Sequence, residues 1–336
     1  MNKTPKLFIL AGAVLASLFL FVSIVYNNFV QKSIYEENSR HLLSTYEQVD
    51  KTFTMFVQHN WNALSDWSNN LQYLDDTENM KTLWYEFTRR KDAWQYQDFY
   101  MFNENCDFIT AAGRDGNAPN IQGIFLDMYA TGQPVISSYI ASDSNRRIVF
   151  ALPMDVPYTI NGITYSGLAV SYNNDVVEKL IAGNIYQGQS DCYILTSDGN
   201  VLLSLEPKTE FLQHISNLFD FLNNYTDMTE TEITDLKKNI KNVSTGSLQC
   251  RYNKKTYYLV YEPTGINDWT IVGIIHNDVV DASMRRMQFI TIVLILILNG
   301  CIALLLIGTV FVLMDSRLRM KEHEQMILLK HKELAE

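Results

Sequence analysis

Two long apolar stretches of this chain, 7–26 and 287–314, carry no charged residue, and polar and apolar positions are interleaved between them. A helix needs about 20 mostly apolar residues to cross a bilayer core, and both stretches reach that length. Each is therefore expected to be a transmembrane helix. Ala11-Gly12-Ala13 resembles a leader cleavage site, but more than a dozen uncharged residues follow it, so an uncleaved anchor is expected. Lys3 and Lys6 precede the first stretch, and Arg317, Arg319 and Lys321 follow the second, which puts both ends in the cytoplasm. Arg285 and Arg286 lie on the other side, where a long translocated domain makes flanking charge weak.

After the first stretch the period is helical. Leu42, Tyr46, Val49, Phe53, Phe56, Asn60, Leu64, Trp67, Leu71 and Leu74 recur every three or four residues, close to a coiled-coil seam. The seam fits a dimer-forming stalk or a helix packed along its own domain. A break is expected at 75–79 and a short helix over 81–91. From Trp94 the pattern shortens to strands: 99–102 and 107–110 as a hairpin, a loop at 113–119, a helix near 121–130, then strands at 135–140, 147–152 and 166–171. The order then repeats. Strands within 192–203 turn at Asp198-Gly199, a helical region covers 210–241, and strands follow at 246–252, 256–261 and 269–275. Pro153 and Pro263 are read as strand ends. Asn174-Asp-Val-Val and Asn277-Asp-Val-Val close the two copies, each with a side chain able to cap the next helix.

Residues 27–286 hold 32 Asp and Glu against 20 Lys and Arg, a net charge of −12. That balance disfavours nucleic acid, which rewards clustered positive charge. It is read as a solubility device, although it also suits a cationic or neutral ligand. Cys106, Cys192 and Cys250 lie outside the apolar stretches, with Cys301 inside the second; no spacing fits a disulfide framework or a zinc site. The six histidines are scattered, so no metal and no cofactor are expected.

Two such units after a long helix, with Thr131-Gly-Gln-Pro-Val-Ile-Ser137, Tyr258-Leu-Val-Tyr-Glu-Pro263 and Asp268-Trp-Thr-Ile-Val-Gly273, resemble the double Cache (dCache) family of bacterial transmembrane receptors. The resemblance covers most of residues 30–285. It implies an α+β fold class: two tandem PAS-like units with five-stranded antiparallel sheets and a long N-terminal helix, flanked by two transmembrane helices. The expected divisions are 1–6 cytoplasmic, 7–26 first span, 27–93 stalk and short helix, 94–183 membrane-distal ligand-binding unit, 184–286 membrane-proximal unit, 287–314 second span and 315–336 cytoplasmic signalling helix. The family's sheet order would keep Cys192 and Cys250 apart, so free thiols are expected. Members that bind amino acids carry an Arg and aromatic residues just before the Thr-Gly segment and an Asp after the fifth strand. In register, this chain has Gln122, Ile124 and Tyr172 there. The carboxylate-clamping arginine is missing, so that specificity is not transferred.

On the elements that line the pocket in this family, the candidate ligand-binding residues are Asp127, Tyr129, Tyr139, Arg147, Phe150 and Tyr172. The competing reading is that the tyrosines pack the sheet and Arg147 is a solvated edge charge. Asn299 and Gly300 in the second span suit a homodimeric helix contact. Leu313, Met320, Ile327 and Leu334 recur every seven residues as a weak coiled coil. His331 lacks the surroundings of a phosphoacceptor, and the chain shows no P-loop, G-x-S-x-G, kinase or cyclase motif. The final helix reaches Glu336 without a stop signal, so an output domain is expected beyond it. A histidine kinase is expected first and a diguanylate cyclase second; no HAMP-like segment is seen. The function read from the sequence is a plasma-membrane signal receptor for a small molecule, acting as a homodimer. The alternatives are a membrane-anchored scaffold that binds another protein, and an anchored exoenzyme, for which no acid–base cluster is found.

Overall fold

A computed structural model describes residues 4–71, 85, 88–89, 95–118, 122–141, 145–181, 186, 189–204 and 215–333. The expected break at 75–79 and most of the expected helix over 81–91 lie outside them. The chain divides into two compact units, residues 38–279 and the helical arms 1–37 with 280–336.

In the unit 38–279, helix α1 (Thr4–Leu71) contributes its second half. The three-and-four rhythm seen in the sequence is buried there: Leu42, Tyr46, Val49, Phe53, Asn60, Leu64, Trp67 and Leu71 are all sealed. At this height the seam packs along its own domain. Two antiparallel sheets receive it. The first contains β1 (Asp98–Phe102), β2 (Asp107–Thr110), β3 (Asp115–Asn117), β4 (Val135–Ile140), β5 (Arg146–Ile160) and β6 (Ile163–Asn173), in the order β3-β2-β1-β6-β5-β4. Helix α2 (Gln122–Thr131) precedes β4, and α3 (Asn174–Ile181) follows β6. The second contains β7 (Ser190–Leu195), β8 (Val201–Ser204), β9 (Gly246–Tyr252), β10 (Lys255–Pro263) and β11 (Thr270–His276), in the order β8-β7-β11-β10-β9. Without β3 the two orders are the same, so the repeat read from the sequence is a repeat of topology.

Three expectations need correction. The first sheet has six strands, because residues 115–117 of the expected loop pair with β2. Pro153 does not end β5; the strand continues to Ile160 past an irregularity between Pro153 and Tyr158. A proline lacks the N–H that a regular ladder uses, and an irregularity absorbs that loss. The helical region 210–241 holds two described helices, α4 (Leu218–Tyr225) and α5 (Glu230–Lys241). Helix α5 starts at a capping box in which Thr229 and Glu232 satisfy each other's backbone N–H groups. Gly199 takes the left-handed φ of +83° that the expected Asp198-Gly199 turn requires.

Beneath the second sheet, Leu218, Leu222, Ile233, Leu236 and Ile240 from α4 and α5 meet Tyr193, Leu259, Val272 and Ile274 in a continuous apolar core. Cys106, Cys192, Cys250 and Cys301 are free thiols. Cys192 on β7 and Cys250 on β9 are separated by β11 and β10, as expected.

The other unit is helical. Helix α6 (Asn277–Glu333) begins where the second sheet ends, and the Nδ1 of His276, one residue before it, accepts the N–H of Asp278 at 3.1 Å. A side chain just before the expected Asn or Asp thus takes one of the free N–H groups of the helix start. Among the described residues, one segment, Phe289–Ile327, is long and apolar enough to cross a membrane. The first expected span is helical as the start of α1, and most of its side chains lie outside the described set.

Candidate functional site

Strand geometry decides which residues of the first sheet can meet, since alternate side chains share a face. Asp98, Tyr100 and Phe102 of β1 fall on one face with Ser171 of β6, Arg147 of β5 and Tyr139 of β4. The other face, with Phe99, Ile148, Phe150, Val170 and Tyr172, lies under α1. There Phe56 meets Phe150 and Tyr172 edge-on at ring distances of 5.4 and 5.1 Å, and the Tyr172 hydroxyl donates to Asn60 Oδ1 at 2.7 Å.

The face turned from α1 carries a cavity of about 400 Å³. That lies within the range of small-molecule sites, roughly 300–1,000 Å³. Phe102, Phe108, Phe125 and Cys106 supply its apolar wall. Its polar side is built around Asp98, which is only 7% exposed. Arg114 Nη2 donates to Asp98 Oδ1 at 2.8 Å, and Arg147 Nη1 to Asp98 Oδ2 at 3.4 Å. One carboxylate is thus shared by two guanidiniums of unlike freedom: the side chain of Arg114 is 67% exposed and that of Arg147 is 12% exposed. The hydroxyl of Tyr100 lies 3.0 Å from Ser171 Oγ, 3.3 Å from the Tyr139 hydroxyl and 3.5 Å from Asp98 Oδ2. Burial, and then the neighbouring Tyr139, push the Tyr100 phenol well above its ordinary range, so it stays neutral and can donate.

The hairpin that presents Arg114 is braced locally. Thr110 Oγ1 accepts the N–H of Arg114 at 3.1 Å, and Gly113 turns the chain at φ +72°. Asn117 Nδ2 donates to Asp107 Oδ1 at 2.9 Å across β2 and β3. Hydrogen bonds from Asn117 and then Asn103 hold the Asp107 carboxyl below its usual value.

The structure brings together two of the six residues expected from the sequence: Tyr139 and Arg147 line the cavity. Tyr129 packs behind its wall, with the ring 5.9 Å from that of Phe102 and the hydroxyl 3.0 Å from Ser166 Oγ. Burial raises its phenol to about 12. Asp127 is exposed on α2. Phe150 and Tyr172 sit on the face covered by α1, because an even separation keeps residues on one face of a strand and Phe150 is three residues from Arg147. Arg147 is not the solvated edge charge of the competing reading. Asp98, Tyr100 and Arg114 were missed. The alternation Asp98-x-Tyr100-x-Phe102 was the available clue. Among the described residues no group of three or more His, Cys, Asp or Glu could hold a metal ion.

No family model matches the sequence, and no curated protein matches it. Solved structures do share the fold. The sensory domain of the Campylobacter jejuni chemoreceptor Tlp3 with isoleucine bound superposes with a TM-score of 0.51 at 11% identity, over 75% of this chain and 98% of that one. The Tlp3 ligand-binding domain in complex with 4-methylisoleucine gives 0.52 at 10%, over 74% and 94%. The ligand-binding domain of the Pseudomonas aeruginosa PAO1 chemoreceptor PctB in complex with L-Arg gives 0.51 at 14%, over 72% and 97%. The fold is therefore that of bacterial receptor sensory domains, in keeping with the double Cache resemblance.

Proposed function

We propose that this chain is the sensing and membrane-anchoring part of a transmembrane receptor, and that the cavity of the first sheet binds a small molecule bearing a carboxylate or similar anionic group. The observation that carries this reading is the pair of arginines converging on one aspartate at the wall of an apolar cavity. Arg114 keeps donors in reach of solvent while Arg147 is fixed, so an entering anion meets a mobile and an anchored guanidinium together. Tyr100, Tyr139 and Asn117 offer neutral polar contacts beside them. Asp98 leaves room for a ligand cation on the same molecule. The neighbours in complex with amino acids make a zwitterion one member of this class. The arginine absent at exposed Gln122 is supplied here by other elements.

In this reading residues 7–26 and 287–314 span the plasma membrane, 94–183 is the outer ligand-binding unit, 184–286 the inner one, and 315–336 leads to the output. The protein works as a homodimer, and its output is a histidine kinase, with a diguanylate cyclase the alternative. A ligand moves the receptor only through its unequal affinity for two states. The test is a thermal-shift screen of the chain in lipid nanodiscs against carboxylates, amines, sugars and purines. Carboxylates should raise the melting temperature, and Arg147→Ala should remove the effect. Stabilisation by sugars or purines alone would discard the anion site. No stabilisation by any compound, with a membrane protein co-purifying instead, would favour the scaffold.

A further inference from the structure

Arg147 reaches the cavity from the second residue of β5; the first residue, Arg146, points the other way, as neighbours on a strand must. Its Nη1 donates to the backbone carbonyls of Val201 and Leu202, the latter at 3.1 Å. Those residues belong to β8, the edge strand of the second sheet. Edge strands present unpaired backbone groups, and here a guanidinium from the first sheet bonds two carbonyls of one. Two further bonds join the sheets. Asn174 Nδ2, directly after Asn173, the β6 partner of Arg147, donates to Ser204 O at 2.7 Å. Asn267 Nδ2 donates to Ile136 O on β4 at 3.1 Å. The start of β5 and the end of β6, which hold the cavity's fixed arginine, are thus also bonded to the second sheet.

We propose that Arg146 is the positioning residue that couples the cavity to the second sheet, by clamping β8 to the strand whose next residue is bonded to Asp98. This rests on the cavity being the ligand site. When an anion competes with Asp98 for Arg147, the start of β5 shifts, and the shift reaches β8 through the adjacent guanidinium rather than through side-chain packing. Adjacency makes the link short: one peptide unit separates the residue that reads the cavity from the residue that holds the second sheet.

The experiment uses no ligand. Hydrogen–deuterium exchange of the peptide covering 201–204 is followed in the full chain in nanodiscs, for wild type, Asp98→Asn, Arg146→Gln and the double variant. Asp98→Asn removes the charge that holds Arg147. It should speed exchange in β8 by about 5-fold or more, the lower end of ordinary coupling between sites. In the Arg146→Gln background the same change should add nothing. An equal effect of Asp98→Asn in both backgrounds, or no effect in either, would overturn the proposal. If Asp98→Asn fails to fold by circular dichroism, Arg147→Met takes its place in the cycle and is judged by the same criterion. A negative exchange result would leave the binding screen untouched, and a cavity that binds nothing would leave the exchange result untouched. The two failures are therefore separable.

Discussion

Apart from β3, the two sheets carry the same strand order and, at one place, the same residues, yet put them to opposite use. Counting from the helix that closes each copy, Asp98 and Tyr100 of β1 stand where Asp191 and Tyr193 of β7 stand. In the first sheet this Asp-x-Tyr opens onto a cavity between two arginines. In the second it is sealed: Asp191 is fully buried and Tyr193 is part of the core beneath α4 and α5. The neighbouring strands explain the difference. Arg147 is replaced by Tyr257, and Tyr139 by Cys250, both buried in that core. An arginine keeps a cavity polar, while a tyrosine and a thiol fill it. One template thus yields an open polar face and a packed face through a few side chains.

The largest expected effect tests whether the second face is a true core. Tyr257→Ala should remove about 3–5 kcal/mol of stability, as for other large-to-small core changes. A urea titration with a near-wild-type midpoint would mean that this face is open like the first. In the first sheet, Asp98→Ala should cost about 3 kcal/mol, because it strands the nearly buried Arg147 without its partner. The same titration, repeated with Asp98→Ala and Arg147→Met together, should recover part of that loss.

The faces under α1 differ as well. Gly273 occupies the position held by Val170 in the first sheet, and a Cβ there would lie 1.8 Å from Tyr46 Cζ. Gly273→Ala should cost about 1–3 kcal/mol by overpacking, read as a lowered melting temperature. Val170 shows that the first sheet accepts a full side chain at the same place.

The smallest effect is a pH dependence set by a carboxyl of the second sheet. Glu262 takes the place of Leu152 and shares a cleft with Glu47 and Arg40 of α1. Burial first, then the carboxylates of Asp50 and Glu47, raise it to about 7. Lys51 lies beside them and is bonded to Glu47 at 2.7 Å. A carboxyl raised on folding favours the protonated folded state, so stability falls as pH rises from about 4.5 to 7 and stays lower above that. Glu262→Gln should therefore raise the melting temperature by a few degrees at pH 8 and leave it unchanged at pH 4. A shift of equal size at both pH values would assign the effect to something other than titration.

The elements of both sheets were legible because a period of two and a period of 3.6 are local properties of the chain. β3 was not, because Asp115-Gly116-Asn117 has the composition of a loop and pairs only through its neighbour β2. Of the cavity, Arg147 and Tyr139 could be read because they lie on recognisable strands. Arg114 could not, because its place depends on how the short turn between β2 and β3 sits beside β1. Phe150 and Tyr172 were assigned by residue type where strand parity already placed them on the far face.

The hydrogen bond between Asn60 and Tyr172 has a mechanical consequence. It is a polar key in a largely apolar seam, with both residues buried. Sliding α1 by even one residue would take the phenol from the buried Asn60 Oδ1, at about 1–3 kcal/mol for a stranded polar group. The seam therefore has a detent. The bond resists sliding of α1 over the first sheet and favours motion of the two together.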